Sequence, residues 1–436
     1  MHSMTSSATA VRNQNSFRAF RGPAAAPAYE YPWCGTHYIT LSNISRTPAH
    51  RRRSTLTHQK GFALMLVLLL IGVAVSTVLF SYVKSSAQTI DRDKSTAAAL
   101  AQAKDALIGR AATDNNRPGS LPCPDTNNDG SAELFVGNNC PSYIGRLPWR
   151  TLGLPDLRDS SGERLWYALS STLRDHTSAQ PINSDTPGLL TIVGTSPATN
   201  VVAIVFAPGP VLGTQIRDVA NENNLVNYLE GENANGDNIY TTGMTSDSFN
   251  DRLLAITSDA LFQVVEYRVA REIRANLAAY YATPGINYYP FANSYADNTY
   301  GCTPLLTRGR IPNPGNYSIS ADCAGLADWP AGSQPPAWFV ANNWHLLTYY
   351  TVAPACTSAT PNCAGAGYLT VNNTQTPNND KKALVIVAGR ALGGQSRPCA
   401  AVADCLEDPE NTNLDDVYVK NPISSTFNDK IVIVAP

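Results

Sequence analysis

Residues 125–133 form a polar loop whose side-chain oxygens could bind a metal ion. The oxygen-bearing residues at alternate positions of this loop are Asp125, Asn127, Asp129 and Glu133. Gly130 stands at the sixth position, as in the first half of a calcium-binding loop, where glycine allows the sharp turn. The twelfth position is Val136 rather than glutamate, so Glu133 would have to complete a shorter site. The alternative is a polar turn that binds no metal.

Two further acidic loops share almost one sequence. Residues 232–240 recur as residues 410–418, and a Phe-Asn-Asp tripeptide follows each of them nine residues later. The matching oxygen-bearing side chains are Glu232, Asn235 and Asp237 in the first loop, and Glu410, Asn413 and Asp415 in the second. Carboxylates and amides suit calcium, but Asn and Asp also favour turns. Both interpretations stay open for these loops.

The similarity extends through most of the chain. At the same offset of 178, Trp166 and Leu169 match Trp344 and Leu347. Residues that follow a hydrophobic run in each copy also match, at an offset of 180. Gly209, Gln215 and Arg217 correspond to Gly389, Gln395 and Arg397. Pro-Gly dipeptides at 118 and 284 mark the end of a helical pattern in each copy. The repeat predicts two units of about 160 residues, each beginning with a helix.

The second of these helices is predicted over Ser258–Ala282. Its apolar residues recur at every fourth position, as in an amphipathic helix: Leu261, Val265, Val269, Ile273 and Leu277.

The cysteines indicate an exported protein. Cys34 lies near the N-terminus, and eight others fall in close sequence pairs: Cys123 with Cys140, Cys302 with Cys323, Cys356 with Cys363, and Cys399 with Cys405. An even number of cysteines is typical of disulfide bonds formed in an oxidising compartment. Pairing of sequence neighbours is the simplest arrangement, although eight cysteines allow about 105 connectivities.

The charge is distributed unevenly. Residues 1–61 contain eight Lys and Arg but one acid, whereas the remainder carries 24 basic and 33 acidic side chains. A mildly acidic body does not favour binding of nucleic acid. No constellation of nucleophile, base and orienting acid is evident, so we expect no enzyme activity.

The longest apolar segment is Phe62–Val83, which is 22 residues without a charge. A helix of that length and polarity is predicted to cross a bilayer, and the arginines at 51–53 before it predict a cytoplasmic N-terminus. Helical periodicity continues to about residue 112. The result is one helix of about 50 residues, or about 75 Å.

The sequence around residues 59–68, Gln-Lys-Gly-Phe-Ala-Leu-Met-Leu-Val-Leu, resembles the leader junction of type IV prepilins and of type II secretion pseudopilins. The resemblance implies that a prepilin peptidase cuts after Gly61 and methylates Phe62, the first mature residue. The family places glutamate at the fifth mature position, where this chain has Leu66. By resemblance, the absence of that glutamate points to a minor subunit at the tip or in the initiation complex.

The resemblance implies an α+β fold in which a long transmembrane helix is followed by two tandem pilin-like heads, each a helix packed on a small antiparallel sheet. The predicted parts are a disordered basic leader (1–61), the pilin helix (62–112), a first head (113–257) and a second head (258–436). Calcium is the only cofactor expected, partly because major pseudopilins bind it in the corresponding part of the head.

The expected function is that of a minor pilin or pseudopilin in a type IV pilus or type II secretion filament. Its partners would be other pilin subunits, bound through the helix at Phe62 and Leu66, together with the prepilin peptidase and the inner membrane. It would cross that bacterial membrane once, with heads in the periplasm or, within a filament, outside the cell. The alternative is a signal-anchored, adhesin-like binding module that does not enter a filament.

Overall fold

The computed structural model describes residues 60–176, 181–297, 301, 303, 305–313 and 329–436. The predicted leader lies outside these residues except for its last two. The chain divides into two compact units, 1–73 and 74–436, and the strands among the described residues belong to the second.

The predicted N-terminal helix is present as α1, Lys60–Thr113. In its C-terminal half, the buried side chains recur at steps of three and four residues, as one face of a helix requires: Thr96, Ala99, Leu100, Ala103, Leu107 and Ala111. The apolar residues of this face belong to the main hydrophobic core. The helix ends shortly before Gly119, whose φ of 102° begins the following turn.

The prediction that α1 crosses a membrane is wrong. Among the described residues, no helix has an apolar stretch long enough to span a bilayer. Large apolar side chains of α1 between Leu64 and Leu79 are exposed.

The first repeat builds a six-stranded sheet. Its strands are β1 (Ile144–Arg146), β2 (Trp166–Leu169), β3 (Leu190–Gly194), β4 (Ala198–Ala207), β5 (Ile239–Thr242) and β6 (Arg252–Thr257). The ten-residue β4 pairs with β2, β3 and β6. The outer strands are β1 beside β2 and β5 beside β3. All these pairs are antiparallel except β3–β5, which is parallel.

The second repeat follows the same strand order. Its strands are β7 (Arg308–Arg310), β8 (Thr348–Val352), β9 (Thr370–Asn372), β10 (Ala383–Val387), β11 (Val417–Val419) and β12 (Lys430–Ala435). Four of them form an antiparallel sheet in the order β12-β10-β8-β7, while β9 and β11 form a separate parallel pair. The pairs β3–β5 and β9–β11 therefore correspond.

The predicted small antiparallel sheets are a second error in the expected fold class, because the structure is a mixed α/β arrangement with several sheets. The sequence between β4 and β5 is a long connection rather than a hairpin. It carries the chain to the far edge of β3, where β5 runs parallel to β3.

The predicted second helix is confirmed as α2, Ser258–Ala282. The hydroxyl of Thr257 caps it by accepting a hydrogen bond from the backbone N–H of Ala260. The helix packs against β10 and β12 and also contacts β4 and β6. Two shorter helices, α3 (Ala337–Ala341) and α4 (Pro409–Thr412), are the other α-helices in the described part of this repeat.

Candidate functional site

The predicted calcium loop is a turn held by its own side chains. Asp125 is buried, and its carboxylate accepts hydrogen bonds from the backbone N–H groups of Asn127, Asn128 and Gly130. Glu133 accepts bonds from the backbone N–H and the hydroxyl of Thr126. The alternate oxygens expected for calcium are thus brought together, although each already stabilises the turn.

The disulfide bond between Cys123 and Cys140 encloses this loop. Burial raises the pKa of the Asp125 carboxyl. Across the described residues, no group of three or more His, Cys, Asp or Glu side chains is placed to hold a metal ion. Backbone and amide oxygens can also bind calcium, so calcium stays a prediction for the loop.

The two repeated acidic loops have one geometry. Asn235 accepts a hydrogen bond from the backbone of Asp237, and Asp237 accepts one from Ile239. The second loop repeats this pattern at Asn413 and Asp415, which accepts from Val417. The side chains of Glu232 and Glu410 are not buried. These hydrogen bonds form the turn before β5 and before β11.

Beside each loop lies a buried or partly buried cluster of polar side chains whose contacts the sequence did not predict. The first clamp consists of Gln215, Glu230, Asn250 and Asp251, and the second of Gln395, Glu407, Asn428 and Asp429. In the first clamp, Glu230 accepts hydrogen bonds from Gln215 and from the backbone N–H groups of Asn250 and Asp251. Asp251 accepts from the backbone N–H of Glu230 at 2.9 Å.

The second clamp has corresponding contacts. Glu407 accepts from Gln395 at 3.1 Å and from the backbone N–H of Asn428 at 3.0 Å. Asp429 accepts from the backbone N–H of Glu407 at 3.3 Å. Each clamp joins the loop after the central strand to the start of the last strand, so it fixes the position of the acidic loop.

The aspartate of each clamp has a raised pKa. Burial, together with the neighbouring Glu230 carboxyl, raises the pKa of Asp251 to about 8. Burial and Glu407 likewise raise the pKa of Asp429 well above its ordinary value. Each clamp therefore favours the protonated form of its aspartate.

An arginine supports each clamp. Arg217 and Arg397 donate to the backbone carbonyls of Gly209 and Gly389, respectively. The repeated Gly, Gln and Arg residues of the sequence thus occupy equivalent places in the two repeats.

A cleft opens between each long helix and the sheet it packs on. The first cleft, of about 620 Å³, lies between α1 and the loops after β4 and before β6. The second, of about 420 Å³, lies between α2 and the loops after β10 and before β12. An ion pair lines each cleft: Asp93 with Arg252 in the first, and Asp259 with Arg390 in the second.

The two clefts occupy equivalent places. Asp93 and Asp259 are 166 residues apart, which is also the offset of the two Pro-Gly dipeptides. Both clefts have polar linings that include several serines. Sequence reasoning missed them because loops from distant parts of the chain form their walls.

The predicted assembly helix exposes its apolar N-terminal segment. Every large apolar side chain from Leu64 to Leu79 is exposed, and Leu66 is 48% exposed. Gly61 and Phe62 lie in the first turns of α1.

Three of the four predicted cysteine pairs are disulfide bonds: Cys123–Cys140, Cys356–Cys363 and Cys399–Cys405. Cys302 and Cys323 lie outside the described residues. The disulfides are consistent with the oxidising compartment inferred from the sequence.

Comparison with protein-family models, curated proteins and solved structures found no match to this chain.

Proposed function

We propose that the chain is a minor pilin or pseudopilin subunit of a type IV pilus or type II secretion filament. The observation that carries this proposal is the division of α1 into an exposed apolar segment and a segment whose buried face joins the core. A helix that is apolar all round needs other apolar surfaces to cover it. The apolar segments of neighbouring subunits would provide that cover in a filament.

The leader junction and the disulfides support the same function. A prepilin peptidase would release Phe62 as the mature N-terminus, and the disulfide-bonded repeats would lie in the periplasm or outside the cell. In this role the clamps and disulfides keep the repeats rigid, and the chain carries out no reaction of its own.

A second candidate function is an adhesin-like binding module, favoured by the presence of a cleft in both repeats. The two functions differ in what happens to the N-terminus, because a binding module does not require removal of the leader.

Processing tests the first proposal. Protein extracted from its host should have an intact mass and N-terminal sequence that begin at N-methylated Phe62. Gly61→Trp should block cleavage, because it places a bulky side chain at the residue before the cut. Gly72→Ala is the matched control, since a Cβ there has no neighbour within 4 Å and processing should be unchanged. A wild-type chain that keeps its leader would contradict the proposal.

A further inference from the structure

The second cleft contains a buried acid where the first repeat has an apolar residue. Glu266 lines this cleft and is 3% exposed. At the offset of 166 its counterpart in α1 is Leu100, which is 6% exposed. The fold therefore accepts leucine at this helix position, and a carboxyl group is not needed for packing.

Burying that carboxyl is unfavourable. A charged group removed from water costs several kcal/mol unless a partner of opposite charge compensates. Burial raises the pKa of Glu266 to about 8, whereas a hydrogen bond with Ser184 and the charge of Lys430 act in the opposite direction. No ion pair within 4.0 Å joins Lys430 to Glu266 in the described part of the chain.

The surroundings of Glu266 are rich in other acids. Asp259 on α2 and Glu407 in the second clamp both raise the Glu266 pKa through their charge. Arg390 is engaged by Asp259 in the ion pair that lines the cleft. A cation entering the cleft would therefore meet an acid whose charge is incompletely balanced.

The cleft also offers uncharged hydrogen-bond acceptors. Ser184, Ser258 and Ser424 contribute hydroxyl groups to its lining, and Asn428 contributes a side-chain amide. Within the described residues, the Oδ1 atom of Asn428 is buried and accepts no hydrogen bond. A primary ammonium group has three N–H donors, which can be shared between a carboxylate and neutral oxygens of this kind.

We propose that the second cleft binds a primary ammonium group, such as that of a lysine side chain or a small diamine, against the carboxylate of Glu266. The volume of about 420 Å³ lies in the range of small-ligand sites. Binding requires the ionised form of Glu266 and releases its proton. This site is independent of filament assembly.

The proposal is tested by calorimetric titration of the purified full-length chain with Nα-acetyl-lysine amide. The norleucine analogue, which lacks the ammonium group, is the control ligand. We expect binding at about pH 9 that weakens roughly tenfold for each pH unit below 8, because Glu266 becomes protonated there. Titration with 1,4-diaminobutane distinguishes the two sources: tighter binding of the diamine favours a free diamine, and tighter binding of the lysine amide favours a lysine side chain.

Two variants make the test specific. Glu266→Gln keeps the shape of the side chain, and Glu266→Leu reproduces the residue of the first repeat, so it should fold. Both should lose at least tenfold in affinity for the lysine amide. Equal binding of the norleucine analogue, unchanged affinity in both variants, affinity independent of pH, or no binding of either amine at about pH 9 would overturn the proposal.

Discussion

The free energy of unfolding should fall by several kcal/mol as the pH rises from about 5 to about 8. Asp251 titrates near pH 4 in an unfolded chain, but its pKa is raised to about 8 in the fold. The fold therefore favours the protonated form. The stability that this proton supplies is complete below about pH 4 and is lost as the pH rises towards 8, by up to about 1.4 kcal/mol per pH unit for each such carboxyl.

Asp429 and Glu266 add to the same slope, because their pKa values are also raised. Carboxyls with a lowered pKa act in another range. Asp114 and Asp156, held ionised by arginines, stabilise the fold above about pH 4 and lose that contribution as the pH falls further. Between about pH 5 and pH 8 the carboxyls with a lowered pKa stay ionised, so they do not offset the loss of stability from the carboxyls with a raised pKa.

Urea denaturation at a series of pH values measures this slope. Asp251→Asn should reduce it by about 1 kcal/mol per pH unit, because the variant has no proton to lose there. Asp237→Asn is the matched control: it changes an exposed acid and keeps the oxygen that accepts from Ile239. If Asp251→Asn has the same slope as the wild type, a raised pKa of Asp251 does not cause the slope.

The second large effect should come from the buried face of α1. Leu107 is fully buried in the main core. Leu107→Ala should lower the free energy of unfolding by about 2–5 kcal/mol, since it removes apolar contacts and leaves a cavity.

Thermal or urea unfolding of the purified chain measures this loss. Asp105→Ala, on the exposed side of the same helix, is the control and should change stability by about 0.5 kcal/mol or less. Equal stability of the two variants would show that this part of α1 is not held by the core.

The helices could be predicted from the sequence because their signals are local. The four-residue spacing of Val265, Val269 and Ile273 placed α2, and a proline–glycine break marked its end. The parallel pairs could not be predicted, because hydrophobic runs such as those of β3 and β5 do not encode which strand lies beside which, or in which direction.

The sequence match of Trp166 with Trp344 was also wrong, because the two residues do not occupy equivalent positions in the sheets. Trp166 pairs with Phe206 across β2 and β4, whereas Tyr349 pairs with Ile386 across β8 and β10. Phe206 and Ile386 are 180 residues apart, so Tyr349, not Trp344, occupies the place of Trp166. Local similarity of sequence did not reveal this shift of register.

The candidate site was only partly visible in the sequence. The repeated acidic loops were recognised, but their exposed residues form local turns, while the buried partners Glu230 and Asp251 are 21 residues apart. Their signal was present in the repeated Phe-Asn-Asp tripeptides. The sequence did not show that each tripeptide contacts a glutamate, because only the fold brings the two segments together.

Assembly through the apolar segment of α1 is tested most directly by cross-linking in the host. Immunoprecipitated wild-type protein should carry cross-links from the 64–79 segment to other chains that have a prepilin-type junction. Leu69→Lys should abolish them by placing a charge on that segment, whereas Gln102→Lys, on the exposed face farther along α1, should retain them. Wild-type protein without such cross-links, or equal cross-linking of both variants, would contradict the filament function.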